Sequence, residues 1–410
     1  MISALIMLAA QPVTATLPSQ CRTTFVGANV WTGTAFETRD LSIDGDRFVA
    51  VPPVDAARIQ ASWAYLIPPF VDAHTHTVDE PTADDAVHRT NIATGIFYAL
   101  NPNNVRTAGA TPKPTTAQVE LIATGGGVTS PGGHPRPLYE RLATMRRLGA
   151  LTVAELAGRA FHEATTPDAA RAAVRAVAAN GATTVKLYLL DHDGPQSGGL
   201  APEPFRAAVA EAKRLKLMPI AHVETVPDFR LAVSAGVAGV VHMPGYLARS
   251  ERPDAVWRLT PADAAAARSA NVIVVTTIYP AFLQLDGIRL RAAQAVQQHN
   301  LALLRDASVT LAAGADAYGK TVLDELTLLR ATTIFDGAEL LRMATENGAR
   351  LAMPGRQVGR LAPGYEASFL LLYADPVKSW SALGDPLTGM RGGLGLFDKA
   401  RLLPAGCKPA

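Results

Sequence analysis

Two histidines, His74 and His76, stand two residues apart at the end of the apolar run "YLIPPFVDAHTH", which begins at Tyr65. Alternate residues of a strand project to one side, so both imidazoles, and Asp72 before them, face the same way. Neutral imidazoles in that arrangement can grip one metal ion. A lone His-x-His is a weak signal, because two surface histidines at a strand end look the same. Four further polar residues interrupt apolar runs: Lys186 in "TVKLY", His222 in "IAHVE", His242 in "VVHMP" and Asp316 in "AAGADAY". Four of the nine histidines thus sit in such runs, beside an acid and a lysine. Buried polar groups need partners, and one shared site supplies them better than six unrelated core positions. Burial of Lys186 would push its pKa down and free a neutral amine. The structural alternative is a salt bridge from Lys186 to Asp72 or Asp316.

These residues need elements to carry them. Eight apolar runs can be read as strands: "LIPPFVDAH", "GIFYALNPN", "VELIATGGG", "TTVKLYLL", "MPIAHVET", "GVVHMPG", "VIVVTTI" and "VTLAAGAD". Between many of them lie Ala-rich amphipathic stretches with helical spacing, such as "PDAARAAVRAVAAN", "PEPFRAAVAEAKRLK", "VPDFRLAVSAG", "TPADAAAARSA" and "RLRAAQAVQQHNLALLRDA". Strands alternating with helices predict an α/β fold, a (β/α)8 TIM barrel. In such a barrel the strand interiors are apolar and the C-terminal strand ends form the active-site face. The polar residues above fall at or near those ends, Lys186 lying inside its strand. The third strand is the least regular, with its Gly/Pro-rich loop "GGGVTSPGGHPRP". Before Tyr65 and after the helical region that follows Asp316, short strand-like runs return. They predict a small β-sandwich domain built from both ends, residues 21–64 and 353–410, around a barrel of 65–352.

The six residues together resemble the hallmark of the amidohydrolase superfamily: His-x-His on strand one, Lys on strand four, His on strands five and six, Asp on strand eight. The closest branch is the imidazolonepropionase-like and prolidase-like group with a strand-four lysine. "ANVWTGTAFETRDLSIDGDRFVAV" and "ATENGARLAMPGRQVGRLAPGYEASFLLL" are similar to that family's two sandwich segments, so the resemblance covers nearly the whole chain. It implies two divalent metal ions, most often zinc, and a Lys186 carbamylated by carbon dioxide so that it bridges them. His74, His76 and Asp316 would hold one ion; His222 and His242 would hold the other. A hydroxide shared by the metals would attack the substrate, with Asp316 as general base. Asp72 is expected to orient a ligating histidine. Strand alternation adds Tyr188, Glu224 and Tyr318 as substrate contacts, and the branch adds His134 on the strand-three loop; each can equally be a rim residue facing water.

The expected function is a binuclear metal-dependent hydrolase of an amide-type bond in a dipeptide, N-acyl amino acid or cyclic amide. A lactonase, esterase or phosphotriesterase-like hydrolase fits the same residues. A mononuclear deaminase fits less well: family deaminases carry Glu three residues after the strand-five histidine, where Thr225 stands here, and Lys186 would be superfluous. A non-catalytic barrel usually loses ligands, and none is lost.

Composition narrows the classes further. Hydrophobic residues make up 48% and charged residues 18% of 410, a globular composition. The net charge of +2 and the lack of a dense Lys/Arg cluster argue for a small-molecule substrate and against nucleic acid. No run after the N-terminus reaches the ~18 apolar residues of a membrane span, and a homo-oligomer is compatible with everything here. The start "MISALIMLAAQPVTATLPSQC" resembles a short signal peptide of residues 1–15, although no basic residue precedes its apolar run. That predicts a periplasmic or secreted protein, otherwise a cytoplasmic one. The only two cysteines, Cys21 and Cys407, lie near opposite ends of the chain. Export would permit a disulfide between them if both ends share one domain; the alternative is two free thiols.

Overall fold

The computed structural model describes residues 20–78, 85–105, 114–194, 197–248 and 252–409. The expected signal peptide lies outside the described residues. Eight barrel strands follow the predicted order: Phe70–Asp72, Ile96–Asn101, a split third strand, Thr184–Tyr188, Met218–His222, Gly239–Val241, Ile273–Val275 and Thr310–Ala312. All their pairings are parallel. The ring closes where Ala73 N donates to Ala313 O at 3.0 Å and Asp316 N to His74 O at 2.9 Å. This closure brings the first and last candidate ligands together.

The third strand breaks in two. Glu120–Ala123 pairs with strand two, and Gly127–Thr129 meets strand four only at Val128 opposite Leu187. The glycines between them allow close backbone approach. A Cβ on Gly127 would stand 2.6 Å from the Tyr188 ring and 2.8 Å from Asn103 Oδ1. A further short strand, Phe161–Glu163, pairs outside Gly127–Thr129.

The helices begin where the sequence writes a cap. Thr166 accepts from Ala169 N ahead of helix Pro167–Ala179. Thr225 and Asp228 form a reciprocal box at Val226–Ala235, as Thr260 and Asp263 do at Pro261–Ser269. Each helix has Pro in its first turn, where a missing N–H costs nothing. Their buried faces join the strand interiors in one core that includes Val174, Phe205, Phe229, Val240, Val274 and Leu326. Among the described residues no helix is long and apolar enough to cross a membrane.

Both chain ends build a second body. Strands Arg22–Trp31, Phe36–Asp44, Arg47–Val49, Ala57–Gln60 and Tyr65–Ile67 join Phe369–Leu372, Thr388–Arg391 and Leu394–Asp398. The eight strands are connected through one mixed sheet rather than two separately paired sheets. Its core holds Phe25, Val30, Ile43, Phe48, Leu66, Phe369 and Met390. Tyr65–Ile67, expected at the start of the barrel, pairs instead with Asn29–Val30 and with Leu370–Leu372. The chain passes from sheet to barrel at Pro68 and Pro69, which lack the N–H groups a continuing strand would need. Cys21 and Cys407 meet in this body as a disulfide, with Cα atoms 4.3 Å apart.

Candidate metal centre and active-site cavity

The six candidate residues converge at the C-terminal mouth of the barrel, around a cavity of about 690 Å³. That volume suits a small organic ligand. His74 Nε2 and His76 Nε2 lie 3.2 and 3.3 Å from the same oxygen of Asp316. The other carboxylate oxygen stands 3.6 Å from His242 Nε2. One ligand atom from each of His74, His76 and Asp316 falls within 4.8 Å of the others, a spacing that can enclose one cation. His222 and His242 pack ring to ring at 4.4 Å, and both line the same cavity as Lys186.

Burial sets the protonation of this group. It pushes His74 down to about 4 and both His222 and His242 well below the usual imidazole value. These rings are therefore neutral at physiological pH, the state that donates a lone pair to a metal. Burial also lowers Lys186 to about 7, with Asp316 opposing it. Burial opposes ionisation of Asp316, yet the imidazoles facing it, His74 first, hold its carboxyl well below the ordinary range. Lys186 is 2% exposed and its ammonium nitrogen stands 5.4 Å from the Tyr188 ring centroid.

Several backbones here are unusual. His242 (φ 69°), Thr277 (φ 41°) and Asp316 (φ 45°) follow strands six, seven and eight in the left-handed region. Non-glycine residues adopt it at a cost and persist there when surrounding structure holds them. Gly314, two residues before Asp316, has no room for a side chain, because a Cβ would collide with the His74 backbone.

The expected substrate contacts also line the cavity: His134, Tyr188, Glu224 and Tyr318. His134 lies 5.3 Å from Tyr188 and 5.5 Å from His222 between ring centroids. Burial lowers His134 to about 4 and raises the Tyr188 phenol well above its ordinary value, so Tyr188 remains a hydrogen-bond donor. Glu224 Oε1 is 3.7 Å from His222 Nε2. Tyr318 is half exposed, 6.3 Å from the His76 ring. Asp72 meets the candidate ligand His74 through the backbone. Its oxygens accept the backbone N–H of His74 at 3.2 Å and of Val322 at 2.9 Å, rather than an imidazole N–H. It is fully enclosed, and burial raises it to about 8.

Three residues escaped the sequence reading. Tyr246 stacks on His242 at 4.3 Å, with ring planes 16° apart. Thr277 meets His242 Nδ1 at 2.8 Å. Arg141 lines the cavity and makes no side-chain hydrogen bond or ion pair among the described residues. Only Thr277 carried a signal, as a polar residue ending the run "VIVVTT".

Solved structures share this architecture. The A. niger ochratoxinase is 18% identical with a TM-score of 0.72, over 92% of this chain and 96% of that one. A Xaa-Pro dipeptidase with bound methionine in its active site is 16% identical with a TM-score of 0.69, over 91% and 99%. Molinate hydrolase is 14% identical with a TM-score of 0.70, over 96% and 98%. At these identities the likeness is one of fold. No curated protein matches the sequence. The model of the amidohydrolase family matches residues 65–394, which takes in the whole barrel and all six residues at its mouth, and the chain belongs to that family.

Proposed function

We propose that the protein is a binuclear metal-dependent hydrolase that cleaves an amide-type bond in a small molecule. The observation that carries this reading is the convergence of four imidazoles, one carboxylate and one buried lysine on a single cavity. The donor set fits metal. Among the described residues, His222 Nε2 is buried with no hydrogen-bond partner, a costly state that a cation would relieve. Members of the family bind metals, and His74, His76 and Asp316 form a group of the right size. These three would hold one divalent ion, zinc being the expected metal, and His222 with His242 the other.

Lys186 would join the two sites as a carbamate. With its pKa near 7, a large fraction of the amine is unprotonated at neutral pH. That amine can add carbon dioxide through nitrogen, lose a proton and present two oxygens that share one negative charge. Divalent cations held here would lower the pKa of water and polarise the scissile carbonyl.

The chain's own groups perform the remaining tasks. Asp316, ionised and central, accepts the proton of the attacking water and returns it to the leaving nitrogen. Tyr188 donates from a phenol that stays protonated, and His134 beside it offers a second polar contact. Leu138, Leu190, Leu247 and Leu283 give the cavity an apolar wall that excludes water and accepts a hydrophobic side group. Arg141 offers a cation to a substrate carboxylate, which favours an N-acyl amino acid or dipeptide over a cyclic amide.

A Xaa-Pro dipeptidase and molinate hydrolase are among the solved structures built on this fold, which supports a hydrolytic reaction. The Cys21–Cys407 disulfide and the N-terminal apolar segment support an exported protein, periplasmic or secreted, since disulfides persist in oxidising compartments.

The test is a hydrolysis screen of the zinc-loaded protein with N-acyl amino acids, dipeptides, lactams, lactones and phosphotriesters side by side. Turnover of the carboxylated amides is expected, with KM raised at least about tenfold in Arg141→Gln, the loss of one charge-assisted contact. Turnover of lactones or phosphotriesters alone would replace the amide reading.

A further inference from the structure

Strand seven supplies none of the six candidate ligands, yet its end is among the most constrained backbones at the mouth. Thr277 follows Ile273–Val275 with φ 41°, and it is β-branched, so the left-handed region crowds its side chain. Such a residue persists only where neighbours over-determine it. Here the neighbour is Glu325, on helix Val322–Ala331 after strand eight, with no exposed surface. Its carboxyl takes three hydrogen bonds from the turn on either side of Thr277: Thr276 Oγ1 at 2.5 Å, Ile278 N at 2.8 Å and Tyr279 N at 3.0 Å. With residues 276, 278 and 279 tied to one side chain, Thr277 between them has little freedom. Its hydroxyl is then directed at His242 Nδ1, 2.8 Å away.

That contact occupies Nδ1 of His242 and leaves Nε2 as the nitrogen turned toward the site. With Nδ1–H donating to the Thr277 oxygen, Nε2 keeps its lone pair, and Nε2 is the nitrogen facing Asp316 across the site. The stacked Tyr246 ring fixes the imidazole plane from the other side. The same helix is anchored beneath strand one, because Val322 N donates to Asp72, which also holds the His74 backbone. One helical turn thus couples the strand-one ligand to the strand-six ligand.

We propose that Glu325 is a positioning residue: through the strand-seven turn and Thr277 it sets the place and the tautomer of the His242 imidazole. This rests on the reading of His242 as a metal ligand only for its functional consequence; the positioning itself is a property of the metal-free chain.

The experiment follows the His242 ring nitrogens by nitrogen-15 NMR in the full-length metal-free protein, and then titrates cobalt(II) while recording its visible absorption. Glu325→Gln and Thr277→Val are expected to shift the His242 nitrogen signals in the same direction. Both should weaken cobalt binding by about 10–100-fold, the usual cost of losing an outer hydrogen bond to a ligating histidine. Thr277→Ser, which keeps the hydroxyl, should restore the wild-type signals. Thr276→Ala removes one bond to Glu325 without touching the carboxylate, and should move the same signals if Glu325→Gln does not fold. Wild-type His242 signals in whichever of these two variants folds would overturn the proposal. A wild-type chain that binds no cobalt would overturn the metal reading instead, and the metal-free spectra would still decide the role of Glu325.

Discussion

Asp316 faces three imidazoles with two oxygens, so in the proposed reaction one side chain is both ligand candidate and proton acceptor. Replacing it with Asn keeps the volume and removes the charge. The expected fall in kcat is at least about 10²-fold, the lower range for losing a general base, with a further loss from weaker metal binding. A wild-type pH–rate profile in Asp316→Asn would assign the proton to another group, with Glu224 the nearest carboxylate lining the cavity. Small residues matter at this scale too. Gly127 touches the Tyr188 ring, the Asn103 amide oxygen and the Lys186 carbonyl within about the width of one methyl group, at 2.6–3.0 Å from where a Cβ would lie. Gly127→Ala is therefore expected to cost about 1–3 kcal/mol through overpacking, measured by denaturant unfolding, and to raise KM by displacing Tyr188. Equal stability and KM would show that the strand-three backbone yields freely.

At the level of elements, much was legible because the strand signal and the site signal coincide. A polar residue at or near the end of an apolar run both marks the strand and names the candidate ligand, as in "IAHVE" and "VVHMP". The helices were legible as Ala-rich amphipathic stretches between the strands. Tyr246 and Glu325 were not, and neither was the Thr277–His242 contact, because these roles come from contacts between segments distant in the chain. The pairing of Tyr65–Ile67 with the terminal sheet was hidden for the same reason, whereas the Gly-rich run already marked strand three as irregular. One helix pair also permits a pH test away from the site. Glu211 bridges Arg214 on its own helix and Arg175 on helix Pro167–Ala179, and these bonds lower it from 4.5 to about 2. A folded-state pKa below the unfolded one stabilises above the unfolded value, and that contribution fades as pH falls through the folded value. Glu211→Gln should lower Tm at pH 7, and the gap to wild type should narrow between about pH 4.5 and pH 2. A gap independent of pH would mean that packing, not charge, holds the two helices.

The whole molecule is a barrel whose two ends return to one sheet and are tied there by Cys21–Cys407, 386 residues apart in sequence. A link of that span restricts the unfolded chain. The paired change to serine is expected to cost about 2–4 kcal/mol, read as a lower Tm at one fixed scan rate. An unchanged Tm would mean that the terminal sheet holds itself together. Because that sheet lies away from the mouth, the same variant should keep its metal content and kcat. Six residues from five strands are proposed to form one site for two metal ions. Metal analysis of the purified, zinc-equilibrated chain beside Lys186→Ala decides whether they do. Two ions per wild-type chain, with a clear loss in Lys186→Ala, is the predicted result. One ion or none in the wild type, or a Lys186→Ala protein with full metal content and normal turnover, would contradict it.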